Sequence, residues 1–155
     1  MLRTRIIPVL LLNEGGLVKG EKFKNHKYVG DPINAVKIFN EKEVDELVFL
    51  DISNNAKKNG PDIKILSDIV SEAFMPFGYG GGVSEISHIE KLFSVGIEKI
   101  IINTAAYKDP NFIRKAVNIS GSQSIVVSID VKKSIMGNYN IYVCLLYTSP
   151  SPRDS

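Results

Sequence analysis

Phe77-Gly78-Tyr79-Gly80-Gly81-Gly82-Val83-Ser84-Glu85 sets three consecutive glycines at the end of an apolar run, directly ahead of a segment of helical period formed by Ile86, Ile89, Leu92 and Phe93. Glycines carry no Cβ, so their backbone N–H groups stay uncovered, and Ser84 is a suitable N-cap for the segment that follows. The amides of the turn and of a helix N-terminus then converge on one spot, which is how a chain holds a phosphate. The same residues would also make a plain flexible turn. The order strand, glycines, helix favours the phosphate site.

Working outward, short apolar runs recur at Ile6–Leu12, Leu47–Asp51, Phe74–Tyr79, Ile100–Asn103 and Ile125–Asp130. Apolar residues on consecutive positions predict strands buried on both faces, as in a parallel sheet. Between them lie segments of helical period: Ile33, Val36 and Phe39; Ile63, Leu66, Ile69, Val70 and Ala73; the helix after the glycines; and Phe112, Ile113, Ala116 and Val117. Asp31-Pro32 and Asp109-Pro110 open two of these, each an N-cap aspartate with proline at the first helical position, while Gly96 and Gly121 each close one.

Strands alternating with helices make an α/β fold, either an open doubly wound sheet or part of a barrel. The polar residues favour the barrel. The strands end at Asp51, Gly80–Gly82, Asn103-Thr104 and Asp130, which spreads anion-binding and acid/base groups around a rim rather than gathering them at one crevice. At the opposite ends stand Arg5, Glu46 and Lys99. They read either as a charged ring on the lower face or as three solvated charges at strand starts.

The first and fifth runs also align with one another, Arg5–Leu11 against Ser124–Asp130, which hints at a duplicated half-barrel and puts Leu11 where the fifth run has Asp130. The connection from Asn13 to Gly30 carries Lys19, Lys22, Lys24, His26 and Lys27. Its length and charge predict a cationic lid over a phosphorylated ligand. His26 reads as a surface residue of that loop.

The 155 residues suffice for one domain with a sizeable core, and 44% hydrophobic with 23% charged residues is ordinary globular composition. A net charge of +2 with scattered lysines gives no case for nucleic acid. The N-terminal apolar run is short and contains Pro8, so it reads as a buried strand and not as a signal peptide or a membrane segment. A single cysteine, Cys144, fits a reducing, cytoplasmic setting. No motif calls for a metal or an organic cofactor.

Arg5-Ile6-Ile7, Val18-Lys19-Gly20, Gly30-Asp31-Pro32, Asp45–Ile52, Gly80-Gly81-Gly82, Ile102–Ala106 and Gly121-Ser122-Gln123, taken in order, resemble the cyclase subunit family of imidazole glycerol phosphate synthase. The similarity runs from residue 2 to about residue 143. The resemblance implies a (β/α)8 barrel of about 250 residues, of which the first half and the fifth strand are matched. It implies a glutaminase docked at the lower face and ammonia passing through the core to a bisphosphorylated nucleotide, giving imidazole glycerol phosphate and an aminoimidazole carboxamide ribotide. By motif, Gly81, Gly82, Asn103 and Thr104 would hold a substrate phosphate, and Lys19 would lie on the lid near the substrate. Asp130 would be one of two acid/base carboxylates, Asp51 would line the pocket, and Arg5, Glu46 and Lys99 would belong to the gate for ammonia.

One position departs from that pattern. The second catalytic aspartate of the family belongs at the end of the first strand, where this chain has Leu11. Leucine cannot move a proton, and ring closure needs groups that give and take protons in turn. Together with the missing second half, this argues against enzymatic activity of the chain by itself. The Pro8–Leu12 run and the lysine-rich first loop are more similar to a paralogous branch associated with glycan amidation, in which barrel and glutaminase supply ammonia to a sugar amidotransferase. Two functions stay open: a synthase subunit of histidine synthesis, and an ammonia-delivering subunit for a surface polysaccharide.

The partial barrel is expected to occupy residues 1–143. From Cys144 the chain reads Cys-Leu-Leu-Tyr-Thr-Ser-Pro-Ser-Pro-Arg-Asp, which resembles the translation of a sequencing-library adapter. Residues 144–155 are therefore expected to be a non-native tail.

Overall fold

The structure, a computed structural model, describes residues 2–21 and 24–143. The expected non-native tail lies outside the described residues. Seven strands form one sheet in the order β3-β2-β1-β4-β5-β6-β7. Strands β1 (Val9–Asn13), β4 (Leu47–Asp51), β5 (Phe77–Gly80), β6 (Lys99–Ile102) and β7 (Ile125–Val127) are parallel neighbours in chain order. Each crossover carries helix: α1 (Pro32–Glu41) leads to β4, and α2 (Asn54–Asn59) with α3 (Ile63–Ser71) to β5. Helix α4 (Ile86–Ser94) leads to β6, and α5 (Thr104–Lys108) with α6 (Pro110–Ser120) to β7. Sequential parallel strands joined by right-handed crossovers put every helix on the same side of the sheet. That is the first half of a (β/α)8 barrel, the option that the polar residues at the strand ends favour.

The core lies between sheet and helices. Leu47 and Phe49 of β4, Phe77 and Tyr79 of β5, and Ile100 and Ile102 of β6 are buried on the helix side. They meet Val36, Leu66, Ile69, Ile89, Leu92, Phe112 and Ala116, the inner positions that the 3.6-residue period picks out. Phe49 and Phe77 pack edge to face with ring centroids 4.8 Å apart. The alternate residues of each strand, Val9 and Leu11, Val48 and Leu50, Gly78 and Gly80, Lys99 and Ile101, and Val126, form the inner face. This corrects the expectation of burial on both sides of every run: Val9 is 54% exposed and Val126 39%. Among the described residues the sheet is open, and nothing packs on its inner face at the outer strands.

Other boundaries shift for local reasons. Pro8 has no N–H to give to a ladder, so the first strand begins at Val9. Ile6 still runs alongside the next strand's approach, its N–H donating to Asp45 Oδ2 at 2.7 Å. The fifth run breaks at Ser128, and Asp130 opens β8 (Asp130–Lys133), which pairs with β9 (Tyr139–Tyr142) as a separate antiparallel hairpin. The described residues of the expected lid between Asn13 and Gly30 form two strands. Glu14 (φ 50°) and Gly15 (φ 80°) make a tight turn, and β2 (Gly16–Glu21) with β3 (Lys24–Gly30) extends the sheet antiparallel to β1.

Caps follow the sequence in part. Asp109 accepts from Asn111 N–H, Asp62 from Ile65 N–H and Ser53 from Ala56 N–H, whereas Asp31 stands at the N-cap with no side-chain bond. Glu85, not Ser84, occupies the N-cap of α4; Ser84 instead gives its own N–H to His88 Nδ1 and lies outside the helix. At the end where the strands begin, the Asn40 amide clips two elements together. Its Nδ2 donates to the Glu72 carbonyl at 2.8 Å and its Oδ1 accepts from Phe74 N–H at 2.9 Å.

Candidate functional site

The glycine turn after β5 is held by close contact on both sides. Gly81 and Gly82 take φ of +134° and +65°, the region that side chains avoid. A Cβ on Gly81 would stand 2.4 Å from the Asp51 carbonyl oxygen, and one on Gly82 would stand 1.9 Å from that of Ala56. The backbones of β4's end and of α2 thus require glycine here, whatever else the turn does. The N–H groups of Gly81, Gly82 and Val83 make no hydrogen bond with other described residues, and Ser84 N–H donates to His88 Nδ1 at 3.3 Å.

Sequence reasoning missed Tyr79. It is fully buried beneath the turn, and its hydroxyl donates to the Gly81 carbonyl at 2.9 Å. Burial, and then the nearby carboxylates of Asp51 and Asp62, push the phenol well above its ordinary range. The period of two in β5 is the signal that could have found it, since that period sends Tyr79 to the helix side beside Phe77.

One strand further on, Asn103 Nδ2 donates to Asp130 Oδ2 at 2.8 Å. Asn103 therefore orients the carboxylate and does not cap α5, whose N-cap it occupies without a side-chain bond. The N–H of Thr104 points from the same edge and also lacks a partner among the described residues. Gly81, Gly82, Asn103, Thr104 and Asp130 thus share the C-terminal edge of neighbouring strands β5, β6 and β7. Both polar groups of the Asn103–Asp130 pair are half-buried, an arrangement able to hold or move a proton beside an anion.

The other candidates lie apart. Asp51 pairs in register with Leu12 on the helix side of the sheet, and accepts from Ser53 N–H at 2.9 Å. It lines a cleft of about 180 Å³ with Glu14, Ser53 and Asp62, separate from Asp130. Lys19 is exposed on β2 opposite Lys27, and its ammonium meets no described partner. Leu11 faces inward beside Leu50 and Val18, so β1 presents no carboxylate on that face. Among the described residues no His, Cys, Asp and Glu are grouped to hold a metal, and no helix is long and apolar enough to cross a membrane.

At the opposite end the three charges meet. Glu46 is buried, with Arg5 Nη2 and Lys99 Nζ both donating to its Oε1, the latter at 2.7 Å. Burial alone would raise this carboxyl. The hydrogen bonds and charges of Lys99 and Arg5 outweigh it and hold Glu46 below its ordinary value. The three side chains are thus paired through one carboxylate and not separately solvated.

Comparison with known proteins gives a consistent match. The model of the family described as histidine biosynthesis protein matches residues 5–146. A Pseudomonas aeruginosa protein provisionally named imidazole glycerol phosphate synthase subunit hisF2 is 51% identical over 142 residues, 92% of this chain and 57% of that protein. A Leptospira interrogans protein provisionally named as subunit HisF of the same synthase is 44% identical over 144 residues, covering 92% and 57%. The imidazole glycerol phosphate synthase subunit HisF of Methanococcus maripaludis is 42% identical over 138 residues, covering 89% and 51%. The chain spans little more than half the length of these relatives.

Proposed function

The chain belongs to the histidine biosynthesis protein family, among relatives named as the HisF subunit of imidazole glycerol phosphate synthase, and from that premise we propose that the whole protein is a synthase subunit. It takes in ammonia at the charged ring and uses it on a phosphorylated substrate at the opposite edge. One observation carries this reading: the two polar sets sit at opposite edges of one parallel sheet, and β6 carries a member of each. Lys99 opens β6 and Asn103 follows its last residue, about 13 Å apart at the rise of a strand. Between the two sets the inner face offers Val48, Leu50, Gly78, Gly80 and Ile101, a surface that would neither bind nor protonate a small neutral amine.

In this reading the amides of Gly81, Gly82 and Thr104 hold a substrate phosphate, Asn103 orients Asp130, and Asp130 exchanges the proton. Lys19 on the basic hairpin would close over the substrate. Ammonia comes from a glutaminase docked over Arg5, Glu46 and Lys99. The family reaction would yield imidazole glycerol phosphate and an aminoimidazole carboxamide ribotide, in the cytoplasm.

Leu11 supports a second reading. With no carboxylate on the inner face of β1, the barrel would bind a phosphate and conduct ammonia while converting little substrate. It would then serve a sugar amidotransferase that modifies a surface polysaccharide. The deciding experiment gives the full-length protein ammonium and the bisphosphorylated nucleotide and follows product formation. Turnover at the speed of an ordinary family member supports the synthase and overturns the second reading. Phosphate binding without turnover does the reverse.

A further inference from the structure

Resting on the reading that a phosphate sits against the glycine turn, we infer that Tyr79 is a positioning residue whose hydroxyl fixes the Gly81–Gly82 peptide with its N–H turned toward that phosphate. The geometry follows from one planar peptide. In a trans peptide the carbonyl and the following N–H point in opposite directions. The Gly81 carbonyl is drawn to the helix side by the Tyr79 hydroxyl, 2.9 Å away. The Gly82 N–H is therefore directed away from the tyrosine, out of the layer between sheet and helices, and no described residue occupies it.

A glycine pair needs such an anchor. With no Cβ on either side, Gly81 and Gly82 can turn the intervening peptide over at little steric cost. That rotation would present a carbonyl oxygen, and not an N–H, to the anion. The close contacts with Asp51 and Ala56 limit how far the turn can shift, but they do not choose which pole faces outward. The tyrosine hydroxyl chooses. It stays a donor because burial and the neighbouring carboxylates of Asp51 and Asp62 keep it protonated.

The test titrates inorganic phosphate into the full-length protein and its Tyr79→Phe variant, following backbone amides by NMR. For the wild type, saturable binding with a downfield move of the Gly82 amide proton is expected. Tyr79→Phe is expected to bind about 2–10-fold more weakly, the worth of one net hydrogen bond, and to lose the Gly82 response while Thr104 still responds. A merely structural role would weaken both amides alike. No binding by the wild type overturns the phosphate reading and this inference with it; equal affinity with an unchanged Gly82 shift overturns the tyrosine's role alone. Should Tyr79→Phe not fold, 3-fluorotyrosine at position 79 keeps the shape and supplies a stronger donor. Tighter binding with a larger Gly82 shift then supports the inference, and unchanged values refute it.

Discussion

Replacing Glu46 by Gln keeps the side chain's shape and removes its charge from beneath Arg5 and Lys99. The Glu46 side chain is only 7% exposed, whereas those of Lys99 and Arg5 are 32% and 53% exposed. A hydrogen bond to a charged group is worth about 1.5–3 kcal/mol when both partners are shielded. Here both cations can return to water when the carboxylate is gone, so the two bonds together are discounted to about 1–2 kcal/mol. Glu46→Gln should therefore lower stability by about that amount at pH 7, read as a shift of the urea midpoint at constant slope. The pH dependence gives the sharper reading. Glu46 has its folded pKa below the ordinary 4.5, so its contribution is complete above that value. It is lost as pH falls through the folded pKa. The wild type and Glu46→Gln should thus differ at pH 7 and converge as the pH drops below about 4.5. Parallel stability curves between pH 7 and 3, or equal stability at pH 7, would show that the ring holds no depressed carboxylate.

Other outcomes follow from the upper edge. Gly82→Ala forces a Cβ to within 1.9 Å of the Ala56 carbonyl at a φ of +65°, and should cost at least about 3 kcal/mol of stability in urea unfolding. Asn103→Leu removes the donor to Asp130; in the full-length protein any turnover should fall about 10-fold or more in steady-state kinetics, with phosphate binding kept. Leu11→Asp in the full-length protein should bring a second carboxylate opposite Asp130 and raise cyclase turnover about 10²–10⁴-fold from a low background. If the unmodified protein already turns over like an ordinary family member, Leu11 is a tolerated substitution and that gain will be absent.

Much of the fold was legible because burial imposes a period. Val36, Leu66, Ile69, Ile89 and Leu92 recur every three or four residues for the single reason that one helix face meets the sheet. The hairpin of β2 and β3 was not legible. The turn from β1 into β2 that starts this antiparallel extension depends on Glu14 adopting a positive φ, which its side chain does not advertise. The short helices α2 and α5 escaped because five or six residues show no period. In the site, the glycine triplet and Asp130 were visible as residue types, but two relations were not. That Asn103 spends its amide on Asp130, and that Tyr79 reaches around to Gly81, are contacts across 27 and 2 residues. They are set by strand order and by which side of a strand a residue faces, and a linear reading has only the second of these.

The Asn40 clip has a consequence for recognition. A side-chain amide offers the same donor and acceptor as a peptide, so Asn40 acts as one extra rung between α1 and the chain entering β5. Phe74, 89% exposed next to that rung, is a large apolar side chain on backbone already immobilised by folding. Loops that become ordered only on contact lose entropy at the moment of association. A surface framed in this way does not, so whatever meets it has mainly the rotamer of Phe74 left to arrest, and complex formation there should be limited by encounter and fit rather than by rearrangement of this chain.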